Sequence, residues 1–204
     1  MPTIEQWRDA WAQLGTRADD ALFAAVSSRY REPHRHYHTL QHLDECLRNA
    51  ELLRTVAARP AEVILALWFH DAIYDVARSD NELLSANWAR DSTRAAGLSS
   101  DVGERIHKLI LATQHDAVPA DADAQALLDV DLWILGAPTP RFDEYELQVR
   151  REYSDVPEPA FRNGRTRVLT TFLKREFVFN TLAFRSAFED LARNNLARSI
   201  AQLS

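Results

Sequence analysis

AEVILALWFHDAIYD, residues 61–75, is the most apolar stretch of the chain. Val63 to Phe69 carries no charge, and Pro60 just ahead suits the first turn of a helix. The stretch reads as a central, mostly buried helix running to about Ile73. Apolar residues at helical spacing surround it on both sides. Ile4, Trp7, Trp11 and Leu14 predict a helix from Thr3, with Thr3 and Gln6 as a capping box and Gly15 as its stop. Leu22, Phe23, Val26 and Tyr30 predict a second over Asp19–Arg31, and Leu40, Leu43, Leu47 and Ala50 a third from Tyr37 or His38 to about Ala57. Beyond the central stretch, Ser79 and Glu82 read as another capping box for a helix ending near Gly97, and a further helix covers Asp101 to Thr113. QHDAVPADAD, residues 114–123, reads as loop. Helices are then expected over Ala122–Leu135 and Pro140–Tyr153, with VPEPA (156–160) as a linker and two helices from Arg162 on. FVFNTLAF, residues 177–184, is ambiguous between helix and strand. The expectation is an all-α fold of about eight to ten helices in one compact domain over residues 1–204. Its core spans about 30–136, and helices over about 140–204 pack on it.

Composition supports this. The 204 residues are 46% hydrophobic and 26% charged, normal for a globular chain, and 5 Gly with 8 Pro disfavour a turn-rich β fold. Against 24 basic residues stand 30 acidic ones, a formal net charge of −6 that argues against a long nucleic acid or an anionic membrane as partner. Cys46 has no second cysteine to pair with, so neither an internal disulfide nor a thiolate cluster is expected. MPTIEQWRDAWAQLG does not read as a signal peptide, and no run reaches the roughly 18 apolar residues of a membrane span. A cytoplasmic location is expected.

Chemistry concentrates in the histidines. Four of the 7 (His34, His36, His38 and His42) fall within one short segment, and His70 with Asp71 ends the most apolar helix. On a helix, His38 and His42 share one face one turn apart, suiting either a metal pair or one ligand beside one proton donor. A plain surface pair has the same spacing. Asp71 follows an uncharged run, where a carboxylate is costly unless it is paired or metal-bound. An end-of-helix cap or salt bridge would explain it as well. Asp129 and Asp131 lie in the apolar LLDVDLWILG, about 200° apart on a helix, so both cannot face one site. One of them is expected in solvent.

The ordered set His42, His70-Asp71 and Asp131 resembles the H…HD…D signature of the HD superfamily of metal-dependent phosphohydrolases. YHTLQHLDE is similar to a stretch of the cyclic-nucleotide phosphodiesterases. REPHRHYHTLQHLDECL, ALWFHDAIYD, DNELLSA, LATQH, LLDVDLWILGA, EYELQVRREY, NGRTRVL and ARNNL resemble one bacterial group of predicted HD phosphohydrolases. The resemblance implies an HD/phosphodiesterase-like helical fold and His42, His70, Asp71 and Asp131 as metal ligands, with Asp131 preferred over Asp129. It implies His38 as general acid and Asp71 as a catalytic as well as a ligating group. His115 is a further catalytic candidate, as a phosphate or second-metal ligand, unless it is an ordinary loop histidine. Asp75 and Glu82 are nearby acids, Glu82 already having a capping reading. His34, Arg35, His36, Arg150 and Arg165 are the candidate substrate contacts, since guanidinium forks suit phosphate oxygens.

The activity so implied is hydrolysis of a small phosphorylated substrate, a nucleotide by preference, by attack of metal-activated water on phosphorus. Mixed nitrogen and oxygen ligation suits Mn, Fe, Co, Ni or Zn, with Mg also allowed. Two other readings use the same residues: a non-catalytic metal- or nucleotide-binding module, and a di-iron oxygenase on an HD-type fold. A homo-oligomer is compatible with all three.

Overall fold

A computed structural model of the chain describes residues 1–115 and 117–203, with side chains at all of these except 54 and 55. The expected loop at 114–123 thus includes one residue outside the described set. Ten α-helices and no strand occur among the described residues: α1 (Ile4–Gln13), α2 (Asp20–Arg29), α3 (Leu40–Asn49), α4 (Pro60–Phe69), α5 (Asn81–Ala95), α6 (Ser100–Leu111), α7 (Ala122–Asp131), α8 (Thr139–Glu152), α9 (Glu158–Leu173) and α10 (Leu182–Leu203). The all-α expectation holds. The chain divides into two compact units, Met1–Asp131 and Leu132–Ser204.

In the first unit α4 is the axis. Val63 and every residue from Leu65 to Phe69 are buried, and α1, α3, α5, α6 and α7 all pack against it. Aromatic rings fill the space around it: Trp7 lies 5.5 Å from Trp11 and 5.2 Å from Trp68 between ring centroids, and Phe69 lies 5.9 Å from Trp88. An ion pair and a carboxylate bonded to backbone N–H groups hold its first turns. Arg105 of α6 grips both oxygens of buried Glu62 at 2.8 and 2.7 Å. Asp123 of α7 accepts the N–H groups of Ala58 (2.6 Å) and Arg59 (3.1 Å), capping α4 from a distant part of the chain.

Several boundaries differ from expectation for local reasons. The helix expected from Tyr37 or His38 begins at Leu40, because Thr39 caps it by accepting Gln41 N–H (3.2 Å). It passes into a 3₁₀ segment at Ala50–Thr55. The Ser79–Glu82 capping box is absent: α5 starts at Asn81, whose side chain reaches back to both the N–H (3.2 Å) and the carbonyl (2.9 Å) of Asp75. α7 stops at Asp131 and a 3₁₀ segment covers Leu132–Gly136.

In the second unit α10 packs on α9 and on that 3₁₀ segment. Asn195 donates to the carbonyls of Leu135 (3.0 Å) and Ala137 (2.9 Å). A side chain at Gly136 would stand 2.7 Å from Phe188 Cβ, so only glycine permits this crossing. α9 starts at Glu158, earlier than expected, with Pro159 in a first turn that needs no N–H from it. Within FVFNTLAF, residues 177–181 are neither helix nor strand and only 182–184 begin α10. The Glu189 carboxylate takes the N–H groups of Val178 (2.9 Å) and Phe179 (3.3 Å), replacing the missing ladder. No described helix is long and apolar enough to cross a membrane.

Candidate metal centre

Three helix ends of the first unit deliver four side chains to one spot. The first turn of α3 brings His42, the C-terminus of α4 brings His70 and Asp71, and the last residue of α7 is Asp131. His70 is the C-cap of α4. The His-Asp doublet therefore sits where the helix ends, and two adjacent side chains converge there as they would not along a continuous helix.

The donor atoms are closely and evenly spaced. His42 Nε2 is 3.0 Å from His70 Nε2, 3.3 Å from Asp71 Oδ2 and 3.3 Å from Asp131 Oδ1. His70 Nε2 is 3.0 Å from Asp71 Oδ2 and 3.4 Å from Asp131 Oδ1. Neighbouring ligands around one ion with bonds of about 2.1 Å stand about 3.0–3.4 Å apart, so the set fits a single divalent cation. Charge fits as well: two neutral imidazoles, two carboxylates and one divalent ion sum to zero. His70 is oriented for this, since its Nδ1–H donates to the Leu67 carbonyl (2.7 Å) and leaves the Nε2 lone pair toward the cluster.

Cys46 is a residue that sequence reasoning passed over. His42, Cys46, His70 and Asp131 each offer a ligand atom within 4.8 Å of one another, a group able to hold a metal ion. Cys46 Sγ, however, is 3.7 Å from both ring nitrogens of His42. An atom equidistant from the two nitrogens lies off the Nε2 lone-pair axis. Asp71 Oδ2 is nearer to both imidazoles, at 3.3 and 3.0 Å, with the thiol alongside. The signal for Cys46 was its position one helical turn after His42.

Electrostatics bind the four groups to one another. Burial opposes charge on His42, but Cys46, Tyr37 and the two carboxylates outweigh it and hold the imidazole well above its usual range. His70 behaves alike, with Asp71 its strongest charged partner. Burial would raise the carboxyls of Asp71 and Asp131, yet the surrounding imidazoles hold both well below the usual carboxylate range.

His38 lies just before the Thr39 cap and so is not on α3. Its ring stacks on Tyr74 (3.9 Å, 26°) and stands 5.9 Å from the His42 ring, and its charge helps hold Asp71 ionised. His115 ends a short 3₁₀ turn in the left-handed region (φ 57, ψ 19), which costs a non-glycine residue about 1–2 kcal/mol. Its Nε2 is 3.0 Å from Asp131 Oδ2.

The expected substrate contacts fare differently. His34 and His36 are exposed, and His34 Nε2 donates to the Tyr74 carbonyl (2.9 Å). Arg35 is buried. It pairs with Glu32 (2.9 Å) and donates to the carbonyls of Asp71 (2.5 Å), Ala72 (3.2 Å) and His38 (3.3 Å). It thus fastens the backbone that carries the His-Asp doublet, in place of the expected phosphate contact. In the second unit, Arg150 binds Glu158 (2.8 Å) and the Val156 carbonyl (3.2 Å) and lies over Phe161. Arg165 is paired with Glu146 and lies over Tyr145. Each guanidinium group is thus held by an acid of the second unit. Asp129 is also a correction: it is fully enclosed at 0% exposure, not solvated. Asp75 is exposed and takes the Ala77 N–H on its carboxylate (2.8 Å).

No protein-family model, no curated protein and no solved structure matches this chain.

Proposed function

We propose that this chain is an HD-type metal-dependent phosphohydrolase acting on a small phosphorylated molecule, a nucleotide by preference. The observation that carries this reading is the convergence of His42, His70, Asp71 and Asp131, in the order H…HD…D, at separations of 3.0–3.4 Å. A divalent ion held there supplies Lewis acidity toward a phosphoryl oxygen and activates water near neutral pH. A donor set of two nitrogens and two oxygens favours a transition metal over Mg.

The protein's own groups do the rest. Arg35 and Glu32 hold the doublet's backbone in place, and the Leu67 carbonyl fixes the His70 tautomer. His38, stacked on Tyr74 near the cluster, is the general acid that gives a proton to the departing oxygen of the substrate. His34 and His36, both exposed on the segment that Arg35 anchors, are the side chains we assign to phosphate oxygens. A net charge of −6 favours a small anion reached through this local patch over a long polyanion. A reducing, cytoplasmic setting suits a free buried thiol beside the metal ligands.

The test is metal content per chain on protein purified without a His tag or chelator, followed by hydrolysis assays on nucleotides and aryl phosphates with Mn, Fe, Co, Ni and Zn. The expected result is a bound transition metal and metal-dependent phosphate release, both lost in Asp71→Ala. Protein that stays metal-free and inert with all five metals overturns the reading.

A further inference from the structure

Asp131 uses its two oxygens differently. Oδ1 faces the imidazoles of His42 and His70 at 3.3 and 3.4 Å, while Oδ2 faces His115 Nε2 at 3.0 Å. Asp131 is the last residue of α7, where the chain passes into the 3₁₀ segment Leu132–Gly136. His115 is the sole non-glycine residue with positive φ among those described. Its N–H closes the preceding turn on the Ala112 carbonyl (3.1 Å), and its half-buried ring points back to α7. A strained backbone that delivers a ring to one carboxylate oxygen needs a reason, and the ring's target is that reason.

We propose that His115 is the positioning residue for Asp131. Its Nε2–H donates to Oδ2, fixes the carboxylate plane and presents Oδ1 alone to the metal. This replaces the expected role of His115 as a phosphate or second-metal ligand. The proposal rests on the metal reading above and adds to it a division of labour between the two oxygens.

The experiment measures affinity for Co(II) and Zn(II) by chelator competition, together with metal stoichiometry and the Co(II) visible spectrum. It compares the wild type with His115→Ala, His115→Gly and His115→Gln. Glycine removes the side chain and the backbone strain together, alanine removes the side chain alone, and glutamine keeps an N–H donor. The expected result is an affinity loss of about 10–100-fold in both Ala and Gly variants, at wild-type stoichiometry and with a shifted Co(II) band. Gln is expected to recover part of the loss. Loss in Gly as well as Ala separates the hydrogen bond from backbone strain. Unchanged affinity in both variants overturns the proposal while leaving the metal reading intact. So does a stoichiometry that falls by one, which makes His115 a ligand in its own right. A wild-type protein that binds neither ion overturns the metal reading, and this proposal with it.

Discussion

At the scale of single residues, the two acids of α7 are the sharpest test of the site. Asp131 reaches the imidazoles and Asp129 is enclosed elsewhere, two residues away on the same helix. Asp131→Asn is expected to lower metal affinity by more than the roughly 10–100-fold that losing an outer-sphere partner costs. Asp129→Asn is expected to leave metal content unchanged and to lower stability by about 1–3 kcal/mol, because it disturbs a buried carboxylate. Metal analysis and thermal melting on the two variants check both. The four clustered residues were picked out in the sequence by the resemblance of their order to H…HD…D, while the spacing of the residues alone left a surface pair and a helix-end cap open. That Asp129 and Asp131 diverge was legible from helical geometry too. What each arginine does was not. Arg35, Arg150 and Arg165 read as phosphate forks, yet each is occupied by an acid or by carbonyls that only the tertiary structure brings near.

Elements show the same division between local and long-range causes. α4 was legible because its uncharged run could only be a core helix. The start of α9 was misplaced because prolines in VPEPA suit a helix's first turn as well as a linker. FVFNTLAF stayed ambiguous because nothing in it announces that Glu189 will accept its N–H groups. Asp123 is a further long-range device: it caps α4 from beyond α6. Asp123→Ala is expected to lower stability by about 1–2 kcal/mol, the value of a good cap, seen as a lower urea midpoint at unchanged slope. Metal stoichiometry is expected to be unchanged, since the other end of α4 carries the ligands.

For the molecule as a whole, the centre links stability to pH. Without metal, His42 and His70 titrate above their unfolded value of 6.5, so their contribution is complete below 6.5 and is lost as pH rises through the raised values. Asp71 and Asp131 titrate below 3.8, so theirs is present above 3.8 and is lost as pH falls through the depressed values. The metal-free protein is expected to melt highest between those limits, around pH 4–6.5. Metal needs both imidazoles neutral and therefore competes with about two protons. The stabilisation by added Zn or Co is expected to grow as pH rises from 6 to 8, and calorimetry in buffers of different ionisation enthalpy is expected to show proton release. At 1,000 times Kd, a ligand specific for the folded state adds about 4 kcal/mol. A metal shift that is flat with pH would contradict the ligand set.

The aromatic packing around α4 also makes the protein its own optical probe. Trp7, Trp11 and Trp68 are sealed from water beside the helix whose next turn carries His70. Their emission is expected to be blue-shifted, and a paramagnetic ion such as Co(II) bound at the candidate centre is expected to quench it more than Zn does. A titration with Co(II) against Zn(II), read by intrinsic fluorescence, is expected to report occupancy with no label attached.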